Sequence, residues 1–303
     1  LLIRMSLKLR LFKYSIYLLL IFTFLILSVI SYFLTKLPDY SSLEDYKPNV
    51  MTRVHASNGH LVKEYSREYR IFIPIDDIPI NIKEAFMSAE DKNFYSHFGV
   101  DVIGILRASL YNIQNFFEGK GPQGASTITQ QVAKNFLLSD ELSISRKIKE
   151  ALLAIKIEQI LSKDRILELY LNQIYLGAGT YGVAAASNRY FEKELSKLTI
   201  PEIAYLAALP KAPSRYNPIK NYQLALDRRD WVLRRMLEND YISNDDLKKY
   251  TNEPISTFLF KDKNIFSSDY YLELIRQEII ETFGEEYLYG GGLSVRTSLD
   301  TEA

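Results

Sequence analysis

Glu90 and Asp91 stand side by side in the stretch Glu90-Asp91-Lys92-Asn93-Phe94-Tyr95-Ser96-His97-Phe98-Gly99. Adjacent acids followed by an aromatic and an imidazole could do acid–base chemistry, and their placement decides whether they do. Upstream, Asn81 is placed to cap a helix whose Glu84 closes a capping box, and Ile82, Ala85, Phe86 and Ala89 fall on one apolar face. Glu90 then lies near the negative end of the helix dipole, beside a second carboxylate. Both neighbours disfavour ionisation, so its pKa is expected to rise towards the range of a working general base. The competing reading is a pair of acids that merely ends an exposed helix, since perturbed carboxylates are probabilistic site markers.

Two further segments carry the residue types that such a base would need around it. In Gly124-Ala125-Ser126-Thr127-Ile128-Thr129-Gln130-Gln131-Val132-Ala133-Lys134-Asn135, Ser126 is a natural N-cap after a glycine loop. Thr127, Gln130, Gln131 and Lys134 then share one helical face, with Ile128, Val132 and Phe136 on the other. A hydroxyl, two amides and an ammonium suit a sugar or phosphate ligand, and equally a solvated surface. In Ser143–Leu161, a buried stripe of Ile144, Ile148, Ala151, Leu152 and Ile155 leaves Arg146, Lys147 and Glu150 together on the far side. Two cations beside one carboxylate can grip a pyrophosphate. The alternative is an exposed i,i+4 salt bridge worth tenths of a kcal/mol.

Other segments read as architecture. Lys163-Asp164-Arg165-Ile166-Leu167-Glu168-Leu169-Tyr170-Leu171-Asn172 marks a packed helix, and Gly177, Gly179 and Gly182 allow tight turns after it. Arg228-Arg229-Asp230-Trp231 could pair internally with Asp227 and Glu238, and Pro210-Lys211-Ala212-Pro213 reads as a rigid connector. His55, His60 and His97 are too scattered for a metal triad, and His97 is expected to pack or hydrogen-bond. The lone Gly119-Lys120 pair in the expected mobile loop 119–124 lacks the spacing of a nucleotide-binding loop.

The elements that must position these residues follow from the rest of the chain of 303 residues. Lys plus Arg equals Asp plus Glu at 37 each, so no global charge points to nucleic acid, and without cysteine there is neither a disulfide frame nor a thiolate metal site. Arg4, Lys8, Arg10 and Lys13 form a tail, 1–13, before an uncharged run at 14–34 that is long enough to cross a bilayer. The basic flank predicts a retained signal-anchor with a cytoplasmic N-terminus and everything from Leu37 onward outside. A tether follows at 35–50, and Met51–Ser57 and His60–Tyr65 flank Asn58-Gly59 as a β-hairpin, with Tyr69–Ile75 as a further strand. Helices are expected at 82–91, 101–116, 126–138, 144–161, 163–175, 180–190, 200–209 and 221–238, the catalytic body spanning 51–250. Residues 251–303 read as a linker with a helix at 270–283 and a strand at 293–299 that awaits a partner from a further domain.

Taken in order, Glu90-Asp-x-x-Phe94-x-x-His97-x-Gly99, Gly124-x-Ser-Thr-Ile-Thr-Gln-Gln131, Arg146-Lys-x-x-Glu150 and Lys163-x-x-Ile-Leu-Glu-x-Tyr-Leu-Asn172 resemble the peptidoglycan glycosyltransferase domain of class A penicillin-binding proteins, of the 1A type. The resemblance implies a mainly α, lysozyme-like glycosyltransferase domain with a small N-terminal β-hairpin, preceded by one transmembrane helix. It implies lipid II and a growing glycan strand on undecaprenyl pyrophosphate as substrates, with Glu90 as general base and Glu150 as the second essential acid. Ser126, Thr127, Gln130, Gln131, Lys134, Arg146 and Lys147 would bind substrate, while Asp91, Phe94 and His97 would support the base. Expected partners are the membrane and other cell-wall synthesis proteins, not nucleic acid. The expected place is the cytoplasmic (inner) membrane with the catalytic domain on its outer face. A divalent cation, Mg2+ or Mn2+, is the one cofactor considered, held by Glu150 and phosphate oxygens; no organic cofactor is expected. No Ser-x-x-Lys occurs in the sequence, so transpeptidation is not expected of this polypeptide. Two alternatives stand beside polymerisation: a lytic, lysozyme-like enzyme and an inactive membrane-tethered scaffold.

Overall fold

The computed structural model describes residues 2–44, 46, 51–66, 68–117, 124, 126–138, 143–257 and 269–300. It opens with helix α1 (Leu2–Leu34), whose stretch Phe12–Leu34 has a mean hydropathy of 2.5 over 23 residues and is not buried against the rest of the protein. At 1.5 Å per residue this stretch spans about 34 Å, enough for a bilayer core. Strands β1 (Thr52–His55), β2 (Leu61–Tyr65) and β3 (Tyr69–Arg70) follow, then helices α2 (Ile80–Glu90), α3 (Val102–Phe117), α4 (Ile128–Leu137), α5 (Ile144–Ile160) and α6 (Lys163–Gln173). A short hairpin of β4 (Tyr175–Gly177) and β5 (Thr180–Tyr181) precedes α7 (Val183–Phe191), α8 (Ile200–Ala208), α9 (Tyr222–Glu238) and α10 (Asn244–Thr251). Helices α11 (Asp269–Phe283) and α12 (Glu285–Gly290) and strand β6 (Ser294–Arg296) complete it. The architecture is mainly α.

The main core forms around α8, which packs on both α2 and α9. Ile203, Tyr205, Leu206 and Ala207 of α8 are buried there with Phe86 of α2 and Val232 and Leu233 of α9. Its start is well determined: Thr199 and Glu202 close a capping box and Pro201 sits in the first turn. Helix α6 is pinned by its own polar residues. Asn172 accepts from the Ile73 amide and donates to the Ile73 carbonyl, while Glu168 accepts from the Ile75 amide, so the incoming chain is stitched to α6 by side chains. The architectural reading of that segment is correct.

A second, smaller core joins the β1–β2 hairpin to the last described elements. Val54, Val62 and Tyr65 of the hairpin pack with Leu272 and Ile279 of α11 and Leu288 of α12. The expected hairpin forms, β1 pairing antiparallel with β2, and β1 also pairs in parallel with β6, giving the order β2-β1-β6. The last strand was expected to await a partner from elsewhere; it finds one in β1, because residues 52–55 carry a free ladder edge and a buried alternating face.

Several local expectations change. The helix before Glu90 begins at Ile80 after Pro79, with no side-chain cap. Asn81 falls inside the first turn rather than at its start, so the expected Asn81–Glu84 capping box does not form. Helix α4 is capped by Thr127, not Ser126. Tyr69–Ile75 yields only the two-residue β3, which joins β5 and β4 in a separate sheet. The helix expected at 180–190 starts at Val183, since Gly177, Gly179 and Gly182 all take positive φ and turn the chain through a hairpin first. The tether is partly docked: Leu43 is buried in the main core. Residues 119–123 of the expected mobile loop lie outside the described residues. Helix α10 went unexpected although Ser243 and Asp246 spell a capping box at its start.

Candidate active site

Glu90 is the last residue of α2, and Asp91 breaks the helix with φ −157°. The break turns Asp91 inward, where it is buried. Its carboxylate accepts from His97 Nε2 at 2.9 Å and from the Ile128 amide at 2.9 Å, the latter an otherwise unpaired donor at the start of α4. The Gly99 amide donates to His97 Nδ1 at 3.1 Å, which leaves the ring proton on Nε2, facing Asp91. Hydrogen bonds to a charged acceptor contribute about 1.5–3 kcal/mol each. Asp91 is thus committed to joining α2, the 94–99 loop and α4. Phe94 is fully buried beneath the loop, its ring edge-on to His97 at 6.2 Å. Asp91, Phe94 and His97 therefore meet in one loop directly after Glu90.

Glu90 itself points the other way, into a cleft of about 870 Å³. One carboxylate oxygen accepts from Gln131 Nε2 of α4 at 2.8 Å. Burial pushes the Glu90 pKa up, against the Gln131 hydrogen bond and the charges of Arg228 and Lys211, with a small further push from Asp91. The sequence reading had the direction right but the cause wrong: loss of water outweighs the neighbouring carboxylate. Glu90 keeps an edge open to the cleft, so a substrate hydroxyl can still reach it.

Helix α5 brings the second acid to the same cleft. Ser143 caps it, accepting from the Arg146 amide. Its buried residues are Glu150, Leu153, Ala154 and Ile157, whereas Ile144, expected at the heart of the buried stripe, is 83% exposed. The expected stripe of Ile144, Ile148, Ala151, Leu152 and Ile155 is therefore misphased, because the charged face is turned into a cleft and not out to bulk water. Glu150 lies between Arg146, whose Nε is 3.2 Å from one oxygen, and Lys147, whose Nζ is 2.6 Å from the other. Lys147 also donates to the Ser126 hydroxyl at 2.6 Å, tying α5 to the approach to α4.

The α4 face divides. Gln131 and Lys134 line the cleft with Ser126, Arg146 and Lys147. Thr127 is buried outside it, its hydroxyl donating to the Gly99 carbonyl at 2.6 Å and accepting from the Gln130 amide. Gln130 reaches the cleft wall but gives its side-chain oxygen to the Thr127 amide, completing the capping box. A cap of this kind contributes about 1 kcal/mol.

Two cations that sequence reasoning assigned to architecture also line the cleft: Lys211, after α8, and Arg228, in α9. Arg228 stacks on Trp231, with Cζ 3.8 Å from the ring centroid. Neither arginine of the pair meets Asp227 or Glu238. Arg229 is buried against Asp230 and the Thr251 carbonyl, and Glu238 pairs with Arg235. A cation three residues before a tryptophan on one helix was the available signal. Among the described residues no three His, Asp or Glu side chains converge to hold a metal ion. Glu150 faces Arg146 and Lys147.

Residues 58–237, more than half of the chain, match the family model described as Transglycosylase, and the chain belongs to that family. It is 50% identical over 275 residues to penicillin-binding protein 1A of Rickettsia bellii, covering 90% of this chain and 35% of that protein. Penicillin-binding protein 1A of Aquifex aeolicus is 43% identical over 267 residues, covering 88% of this chain and 36% of the relative. The crystal structure of penicillin-binding protein 1A from Haemophilus influenzae superposes with a TM-score of 0.50 at 28% identity, over 85% of this chain and 28% of that one. The chain therefore spans about a third of the length of the relatives it matches.

Proposed function

We propose that the chain is a peptidoglycan glycosyltransferase that polymerises lipid II into glycan strands, releasing undecaprenyl pyrophosphate. The observation that carries this reading is the meeting, in one cleft, of Glu90 at the end of α2 with the Arg146–Lys147–Glu150 cluster of α5. Glu90 would take the proton from the 4-hydroxyl of the incoming lipid II sugar as that oxygen attacks the anomeric carbon of the growing strand, with inversion. The bond from that carbon to the pyrophosphate breaks, and the charge left on the departing oxygens would meet Lys134, Arg146 and Lys147. Glu150 would hold the two α5 cations in place through the contacts at 3.2 and 2.6 Å.

Both substrates carry lipid tails, and two surfaces suit that. Helix α1 is long and apolar enough to span a membrane. Helix α3 exposes Ile103, Leu106, Leu110 and Phe116 to between 62% and 81%, an outward apolar face that would rest on a bilayer. Confinement to one plane would raise the encounter rate of enzyme and both lipids. The basic residues ahead of the apolar run favour an N-terminus in the cytoplasm and a catalytic body on the outer face of the inner membrane.

A lytic enzyme would need an acid to protonate a leaving sugar oxygen but no cation cluster. Lipid II supplied to vesicles carrying the full chain decides between them. Polymerised glycan is the expected product, and shortening of preformed glycan with no polymer would overturn the proposal. Lys134→Ala is expected to slow lipid II turnover by about tenfold or more, as loss of one group stabilising the leaving charge does. An unchanged rate would reduce the Lys134 face to a solvated surface.

A further inference from the structure

We infer that Arg228 is a positioning residue acting through Glu90, as the fixed cation opposite the base; the assignment rests on Glu90 being that base. Both residues line the cleft, Arg228 from α9 and Glu90 from α2, and these two helices pack directly on one another. The Arg228 guanidinium is clamped over Trp231 at 3.8 Å and lies 6.0 Å from the Tyr216 ring centroid, so its plane is set by stacking. Its Nε is buried without a hydrogen-bond partner. Among the described residues no carboxylate approaches it within ion-pair distance, which leaves its charge uncommitted by contact. The next residue fixes the register: buried Arg229 donates to Asp230 and to the carbonyls of Thr251 and Glu253, so α9 cannot rotate Arg228 out of the wall.

The groups facing Glu90 come from every side. Asp91 follows it in the chain, Gln131 donates to it from α4, and the buried Tyr170 hydroxyl lies on the α6 side. Lys211 follows α8 and Arg228 projects from α9. Of the two cations, Lys211 is exposed and screened by water, whereas Arg228 is half-buried and rigid. After the Gln131 hydrogen bond, Arg228 is the larger of the two charges that oppose what burial does to the base. Arginine stays charged throughout the working pH range, so it supplies this field at every pH the enzyme meets.

The test is the pH profile of kcat/KM for lipid II polymerisation by the full chain in lipid vesicles, which reports ionisations of the free enzyme. For Arg228→Met, the acid limb is expected to move to higher pH. The loss should be greatest on the acid side and shrink as pH rises, one unit of limb displacement being about tenfold in ionised base below the limb. Arg228→Lys should return the limb towards the wild-type position. Should the methionine variant fail to fold, Arg228→Gln carries the same expectation. A variant with the limb unmoved overturns the assignment: a lower rate at all pH values would mean a packing role, and a raised KM alone a direct substrate contact. A wild-type chain that turns over no lipid II at any pH overturns the reading of Glu90 itself, and this assignment with it. Turnover with an unmoved limb overturns this assignment alone.

Discussion

Glu90→Gln is expected to abolish glycan polymerisation while leaving a fold that melts at the wild-type temperature or higher. Loss of a positioned general base costs about 10²–10⁴ in rate. The stability direction follows from burial. The folded protein raises the Glu90 pKa above its ordinary value of 4.5, so the folded state binds that proton more tightly than the unfolded chain. Its contribution is fully present below pH 4.5 and is lost as pH rises through the raised folded value. At neutral pH the ionised carboxylate is thus a cost, which glutamine removes while its side-chain oxygen can still accept from Gln131. Polymerisation from lipid II and thermal melting, read on one sample, check both halves. Retained polymerisation would remove Glu90 as the base, and a lower melting temperature would remove burial as the cause of its raised pKa. The scaffold alternative predicts no turnover by either protein.

Gly99→Ala is expected to destabilise the fold by about 3 kcal/mol, combining backbone strain with overpacking. Gly99 has φ +96°, and a Cβ there would meet the Ala154 carbonyl oxygen at 2.5 Å and the Ile155 nitrogen at 2.9 Å. Both are backbone atoms of α5, so neither can swing aside. Gly99 also donates to His97 and accepts from Thr127, which places it between the loop that holds Asp91 and the cap of α4. Activity should fall with stability, because the same contacts set where Glu90 and Gln131 meet. Gly179→Ala is the control: φ is +75° there, but nothing lies within 4 Å of the added Cβ, so only the strain remains. Denaturant unfolding of the two variants checks this, and a Gly99→Ala midpoint equal to that of Gly179→Ala would show that the α5 contact yields.

The site was legible where local chemistry and position agree. Glu90 at a helix end, Asp91 beside it, and a histidine and glycine a few residues on are all short-range features, and the structure uses them within one loop. Amphipathic phasing failed on α5, where it sent Glu150 to the outside. Periodicity separates polar from apolar faces, yet it cannot tell bulk water from a cleft lined by other helices, and both favour charge. For the same reason it does not show that Thr127 and Gln130 close a capping box on each other. Arg228 and Lys211 looked structural because the cleft they line with Glu90 is closed by residues more than a hundred positions apart in the chain.

By itself, the sequence determined the apolar helix, the hairpin, most of the helices, and the local grouping of Arg146 and Lys147 with Glu150. Those are written in local spacing, capping and composition, and they hold whatever the chain packs against. Only the tertiary structure decided which face of α5 looks inward, which polar residues of α4 are spent on capping, and that β6 returns to β1. It also decided that burial, more than the neighbouring acid, raises the Glu90 pKa. Desolvation and long-range charge depend on what several separate helices bring to one point in space, and no window of the sequence contains that sum.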